Sequence, residues 1–268
     1  MPRFRFECQY AGSKFHGWQK QPDVPTVQAV LEEAFASLFG CSLKIYGAGR
    51  TDRGVNSLGL TVHFQLSPEQ YKKFAPPPAR WSKIINRRLP PEVRINEIRQ
   101  VYEKFHARHS AVARLYGYRF VDKKNKFTSM GRETGWVCSR FSFSRARRAV
   151  RLLTGQIPTE TFSGSGGSNY QAELWPVNLR LKRFKSGTWL LVSAASFRYL
   201  MVRSIARAVQ SLAVGIWTVS DLKELLEEKR NSLAPAPPGG CYFIQAFYHA
   251  KSTETIFLQG YQKIKKYF

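Results

Sequence analysis

The stretch Gly47-Ala48-Gly49-Arg50-Thr51-Asp52-Arg53-Gly54-Val55 sets one carboxylate between two arginines, in a loop with three glycines. Flanking cations favour the ionised form of Asp52, and an ionised carboxylate is a serviceable nucleophile at neutral pH. Just downstream, Leu58, Leu60, Val62 and Phe64 alternate with Gly59, Thr61, His63 and Gln65, the period-two pattern of a half-buried strand. A loop acid at the start of a strand has its position fixed by the scaffold. The same residues also make a plain turn, in which Asp52 bonds its own backbone and Gly54 supplies a positive φ. By spacing alone the turn is the commoner reading.

Other chemistries find little purchase. There is no G-x-x-x-x-G-K-[ST] phosphate loop, and Gly47-Ala48-Gly49 lacks the third glycine of a dinucleotide fingerprint. His16, His63, His106, His109 and His249 are scattered, and only His106 and His109 lie close in sequence, which argues against a metal site. Cys8, Cys41, Cys138 and Cys241 form no C-x-x-C pair, which argues against a zinc site and a disulfide scaffold and suits a reducing compartment.

The elements that must position Asp52 can be read from pattern. Phe4, Phe6, Cys8 and Tyr10 alternate with polar residues to make a first strand. Thr26 caps a helix through Val27, Val30, Leu31, Ala34, Phe35 and Leu38 that ends at Gly40. After Pro76-Pro77-Pro78 comes a short helix through Trp81, Ile84 and Ile85, stopped by Pro90-Pro91. Strand patterns recur at Val93, Ile95 and Val101, and again at Tyr116, Tyr118 and Phe120. A basic connector at 122–126 leads to a second module. There Ser144 caps a helix through Val150, Leu152 and Leu153 closed by Gly155, and 163–168 is a Gly/Ser loop. Strands at 179–184 and 189–192, a helix over about 199–214 stopped by Gly215, and a helix over 221–229 capped by Ser220 follow. Ala234-Pro235-Ala236-Pro237-Pro238-Gly239-Gly240 then introduces a last strand over 241–248. This is an α+β chain in two halves, 1–121 and 122–268, and the cleft between them is the default substrate site.

Charge points to the partner. Across 268 residues, 42 Lys and Arg face 18 acids, a formal +24 spread along the chain rather than held in a tail. An evenly basic folded protein suits a polyanion, and nucleic acid leads that class. Twelve Tyr, six Trp and nineteen Phe supply stacking faces for unpaired bases, although most belong in the core. No apolar run approaches the roughly 20 residues of a membrane-spanning helix. The N-terminus alternates like a strand, unlike a signal peptide, so a cytoplasmic protein with no membrane contact is expected.

Five segments, in order, resemble the TruA family of tRNA pseudouridine synthases. Tyr10-Ala11-Gly12-Ser13-Lys14-Phe15-His16-Gly17-Trp18-Gln19 is similar to its Y-D-G-x-x-F-x-G-W-Q segment, and Arg50-Thr51-Asp52-Arg53-Gly54-Val55 to its G-R-T-D-x-G-V loop. Phe105-His106-Ala107-Arg108-His109-Ser110-Ala111, continuing to Ala113-Arg114-Leu115-Tyr116-Gly117-Tyr118, resembles F-x-A-R-x-S-A-x-x-R-x-Y-x-Y. Phe197 with Met201-Val202-Arg203 resembles F-x-x-x-M-V-R, and 236–243 the closing Pro/Gly motif.

The resemblance implies two ferredoxin-like (RRM-like) halves whose sheets meet at a central basic cleft. It implies that Asp52 is the nucleophile that cleaves a uridine glycosidic bond, so that the base rotates and reattaches through C5 without metal or organic cofactor. It gives Tyr116 as the ring that stacks on the target base, or else a strand-core tyrosine, the reading favoured for Tyr118. It gives Arg203 as the partner of the nucleophile; the plainer alternative is a phosphate contact or a solvated helix face, a role that suits Arg207 one turn on. Arg50 assists entry of the flipped nucleotide. The implied substrate is the tRNA anticodon stem–loop at positions 38 to 40, bound by a homodimer. A synthase for other RNA uridines and a non-catalytic RNA-binding protein are the alternatives. Asn56-Ser57, Leu115, Gly117 and Arg198-Tyr199-Leu200 depart from the family pattern. They are expected where RNA contacts would be adjusted.

Overall fold

The computed structural model of the chain describes residues 1–74, 78–122, 134–164, 174–228 and 233–268, in which eleven strands and eight α-helices make an α+β fold. Two compact units divide it, Met1–Val112 with Phe243–Ala250, and Ala113–Tyr242 with Lys251–Phe268. Pro76, Pro77, the connector residues 123–126, the loop residues 165–168 and Lys229 lie outside the described residues.

In the first unit the chain runs β1 (Arg3–Tyr10), α1 (Val27–Phe39), β2 (Tyr46–Gly47), β3 (Asn56–Gln65), α2 (Pro68–Lys73), α3 (Pro78–Asn86), β4 (Val93–Ile95) and β5 (Arg99–Val101). The alternation in β1 does what a pleat requires: Phe4, Phe6, Cys8 and Tyr10 are buried and the residues between them are partly open. Antiparallel pairing sets Phe4 opposite Phe64, Phe6 opposite Val62 and Cys8 opposite Leu60, so one apolar face is shared by both strands. Onto that face α1 brings Phe35, whose ring lies 4.9 Å from Phe64, and α3 brings Trp81, 5.1 Å from Phe4. Thr26 caps α1 by accepting from the Ala29 N–H, and Gly40 ends it at φ 64°, as its sequence indicates.

The expectation for β3 needs correction. It is buried on both faces from Asn56 to Phe64, not half-buried, and on its polar side the segment Phe105–Ala107 lies against His63. The polar residues there have partners. Ser57 Oγ donates to the Cys8 carbonyl at 3.0 Å and accepts from the Gly59 and Leu60 N–H groups, while His63 Nδ1 accepts from the Ala107 N–H at 3.2 Å. Helix α2 was also not anticipated, although Ser67 and Gln70 form a reciprocal capping box with Pro68 at its first position.

The second unit holds β6 (Ala113–Asp122), β7 (Trp136–Cys138), α4 (Phe143–Leu153), β8 (Gly155–Pro158), α5 (Thr159–Phe162), β9 (Leu174–Phe184), β10 (Gly187–Ala194), α6 (Met201–Val214), α7 (Val219–Glu228) and α8 (Thr253–Tyr267). Strands β6, β10, β9 and β8 are adjacent in that order and antiparallel, and β7 joins β6 in parallel. Helix α6 is buried along most of its length, from Met201 to Ala213, and packs against α4. The last strand, β11 (Cys241–Phe247), lies beside β3.

Three helix boundaries differ from the sequence reading. Ser142, not Ser144, caps α4 by accepting from the Arg145 N–H, and Phe143 then lies beneath the Arg183 guanidinium at 4.9 Å. Gly155 is not a helix stop; it opens β8 at φ 118°, after the extended cap Thr154. Thr218, not Ser220, starts α7, since Thr218 Oγ1 accepts from the Asp221 N–H and Asp221 Oδ2 from the Thr218 N–H. Helix α8 was missed entirely. Its Gly260 lies against Leu115 and Leu191, and the terminal Phe268 ring sits 5.1 Å from Trp189, beneath the Arg119 guanidinium at 4.8 Å.

Candidate active site

The turn reading of the Asp52 segment holds for its backbone. The Val55 N–H donates to the Asp52 carbonyl at 3.1 Å and Gly54 takes φ 78°, so a tight turn begins at Asp52. Its side chain is partly exposed, which a nucleophile requires. Beside it Thr51 is buried, sharing a 2.8 Å hydrogen bond with the Tyr10 hydroxyl, while its carbonyl accepts from the Trp18 N–H at 3.1 Å. Trp18 and Gly17 in turn offer their carbonyls to the Gln28 and Val27 N–H groups, the otherwise unpaired donors at the start of α1. The acid's backbone is thereby tied to the end of β1 and to the head of a helix.

Two glycines let these segments meet. Gly17 takes φ 97°, and a Cβ there would come within 2.7 Å of the Thr51 carbonyl oxygen. Gly12 has no such backbone requirement; its need is space, since a Cβ would lie 2.5 Å from the Val55 carbonyl carbon and closer to its oxygen. Asn56, buried, accepts from the Gly12 N–H at 2.8 Å and closes the brace from the other side. Sequence reasoning missed Gly12, Gly17, Tyr10 and Asn56 as braces, although the first three stand in a motif it quoted. Arg50 and Arg53, on either side, are exposed.

Asp52 and Arg50 belong to the first unit, Tyr116 and Arg203 to the second. Tyr116 lies on β6, opposite Val192, with its ring edge-on to Phe197 at 4.9 Å. Arg203, in the first turn of α6, is held by the Pro/Gly segment: its Nε donates to the Ala236 carbonyl at 2.7 Å, and the Ala236 N–H donates to the Arg203 carbonyl at 3.1 Å. The next carbonyl, Pro237, accepts from the Tyr118 hydroxyl at 2.8 Å, and Gly240 presses so close that a Cβ would lie 2.7 Å from that ring. Tyr118 is a core residue whose burial pushes its hydroxyl pKa upward. Arg207 is not simply solvated; its guanidinium stacks on Trp136 at 4.3 Å.

The departures from the family pattern are mostly internal, contrary to the expectation that they adjust RNA contacts. Leu115 is fully buried under α8, Gly117 is buried on β6, and Asn56 and Ser57 serve the brace and the β1–β3 pair. Arg198 lies over the Trp175 ring at 5.8 Å, and Leu200 takes φ 62° at the start of α6. Tyr199 alone among these presents a largely open ring, 48% exposed.

The scattered histidines are less scattered in space. His63 lies 4.6 Å from His106, which lies 4.3 Å from His109, and Tyr46 stacks on His63 at 5.1 Å. Among the described residues, however, no group of three or more His, Cys, Asp or Glu is arranged to hold a metal. Burial, then the nearby His106 and Arg3, lower the His63 pKa from 6.5 to about 4. The neutral ring is the form its Nδ1 bond to the Ala107 N–H requires. Because the folded pKa is depressed, stability is fully present above pH 6.5 and is lost as pH falls toward 4. The shift corresponds to about 3 kcal/mol. Urea unfolding at pH 7.5 and 4.5 should show this loss in the wild type and a smaller one in His63→Gln; equal losses would rule it out.

No helix among the described residues is long and apolar enough to cross a membrane. A family model described as tRNA pseudouridine synthase matches residues 8–110, the span that contains the Asp52 loop and its brace. Similarity to relatives that carry this name runs over 92% of the chain. The chain is 33% identical over 255 residues to tRNA pseudouridine synthase A of Sinorhizobium fredii, covering 92% of this chain and 100% of the relative. It is 34% identical over 257 residues to the enzyme of that name from Agrobacterium fabrum, covering 92% and 93%. For the one from Blochmanniella pennsylvanica the identity is 30% over 250 residues, covering 92% and 94%.

Proposed function

The chain belongs to the tRNA pseudouridine synthase family, and on that premise we propose that it isomerises uridine to pseudouridine in the tRNA anticodon stem–loop, at positions 38 to 40, with Asp52 as nucleophile. The observation that carries this reading is the braced turn at Asp52, held by Gly12, Gly17, Thr51 and Asn56 within a chain similar to such synthases from end to end.

The chemistry asks little else of the protein. The C1′–N1 bond breaks, the uracil turns, a C1′–C5 bond forms, the C5 proton leaves and N1 gains one. Product and substrate are isomers, so no oxidant, reductant or group donor enters the balance. What is needed is an anionic oxygen at the sugar, a surface that holds the detached base, and access to a nucleotide normally stacked in a helix. Flipping that nucleotide costs a few kcal/mol, which contacts in the site must offset. Roles for the remaining residues follow the motif match. Tyr116 stacks on the uracil, Arg203 is the cation for the Asp52 carboxylate, and Arg50 assists entry of the flipped nucleotide.

We also read each unit as a ferredoxin-like half. In the first, β1 lies between β4 and β3, with α1 and α3 as the crossings; in the second, β6 lies beside β10, with α4 and α6 as the crossings. Both orders suit a split β-α-β arrangement. The same reading has the protein act in the cytoplasm as a homodimer whose subunits share one tRNA. Its test is a map of pseudouridine in tRNA from cells with and without the gene. Loss at positions 38 to 40 is the expected result, and changes confined to sites outside the anticodon arm would overturn the assigned specificity.

A further inference from the structure

We propose that Tyr46, backed by His63, His106 and His109, is a preformed platform on which an unpaired base of the RNA substrate stacks, with the adjoining phosphate at Arg108. This rests on the reading of the protein as a tRNA-modifying enzyme and adds a contact that the motif match does not assign.

The platform is built rather than incidental. Tyr46 and His63 are opposite one another in the β2–β3 pair, and their rings are nearly parallel, 23° apart. His106 approaches both, 5.7 Å from Tyr46 and 4.6 Å from His63. Two of the imidazoles are locked from behind: His63 by the Ala107 N–H, His106 by the Arg108 and His109 N–H groups, both of which donate to its Nδ1. Tyr46 is nevertheless 45% exposed, and Arg108 and His109 are exposed beside it. A ring fixed in place before its ligand arrives loses little rotamer freedom on binding.

Charge selects the ligand. Burial first, and then Arg3, Arg108 and the neighbouring imidazoles, push His63 and His106 toward the neutral form, which leaves the cations Arg3 and Arg108 as the standing charges that act on these rings. A single-sign field around an open aromatic face suits a nucleotide, which brings a planar base and an anionic phosphate together. Location agrees with this. From Tyr46 the chain runs through Gly47 and Ala48, whose N–H donates to the Thr61 carbonyl at 2.8 Å, directly into Arg50-Thr51-Asp52. A base seated on Tyr46 therefore engages the same segment that carries the nucleophile.

The test uses the full-length enzyme and a tRNA transcript. Tyr46→Leu retains apolar packing on His63 but removes the aromatic face; Tyr46→Phe retains the face. Tyr46→Leu should raise KM about tenfold with kcat within about twofold, in line with the loss of one base–aromatic stack. Tyr46→Phe should remain near the wild type. Dissociation constants measured in the Asp52→Asn background should shift by the same factor. A Tyr46→Leu KM within about twofold of a normally active wild type would overturn the platform alone, as would equal losses in both variants. A wild type that neither binds nor modifies tRNA would instead overturn the functional reading beneath it.

Discussion

Asp52→Asn should lower pseudouridine formation by at least about 10⁴-fold, the scale on which loss of a covalent nucleophile is felt. The amide is nearly the same size as the carboxylate, so the turn from Asp52 to Val55 and its ties to Trp18 and Tyr10 should survive the change. What disappears is the anionic oxygen. Binding of tRNA should change by less than about threefold, because affinity for a polyanion comes from the basic surface and the +24 charge is not reduced. Neutralising exposed lysines should do the reverse, weakening binding and flattening its dependence on salt while leaving the nucleophile in place. The pair of measurements separates an enzyme from a protein that only binds RNA. Turnover by the asparagine variant within about tenfold of the wild type would remove Asp52 from the mechanism.

Gly12→Ala is the second large effect, and it acts on Asp52 without touching it. The added methyl would meet the backbone of Gly54 and Val55, not the end of a flexible side chain, so the turn itself has to give way. Moving Gly12 also strains the bond from its N–H to Asn56. Overpacking of this kind costs about 1–3 kcal/mol of stability. A nucleophile displaced by about an ångström loses on the order of 100-fold in kcat. The expected signature is thus a variant that still folds, melts a few degrees lower, and has lost far more activity than stability. Gly40→Ala provides the contrast. Its φ of 64° is strained for alanine but nothing lies within 4 Å, so stability should fall by about 1 kcal/mol and activity should not change. If Gly12→Ala were as active as Gly40→Ala, the brace would not position the acid.

Much of the first unit was legible because its signals are local. Thr26 and Gly40 bound α1 through groups within four residues of each end, and the alternation of β1 records which face is covered. Where two local signals compete, the sequence cannot arbitrate. Ser142 and Ser144 are both able caps, as are Thr218 and Ser220, and packing chose the earlier one each time, with Phe143 seated under Arg183 in the first case. The burial of the second face of β3 was not legible, since Phe105–Ala107, which lies against His63 on that face, is more than 40 residues away. Helix α8 was missed because its apolar positions Ile256, Phe257 and Ile264 are sparse among lysines, and its reason to form is the Leu115–Leu191 surface beneath it.

Taken by itself the sequence determined the α+β class, and it pointed to a polyanionic partner and to the residues proposed for the chemistry. Those depend on composition, on periodicity and on the order of motifs, all of which survive in one dimension. It could not decide whether Asp52 began a turn or carried chemistry; the backbone shows the turn, and a turn with a partly exposed acid is compatible with the proposed chemistry. Only the tertiary structure determined how that turn is held. Gly12, Gly17, Trp18, Thr51 and Asn56 act through close approach and buried hydrogen bonds between segments 30 to 45 residues apart, which no pattern along the chain records. The same holds for Tyr46 and the three histidines. Tyr46, His63 and the His106–His109 pair are far apart in sequence and become one surface because strand pairing and a tight turn bring each ring within about 5 Å of its neighbour.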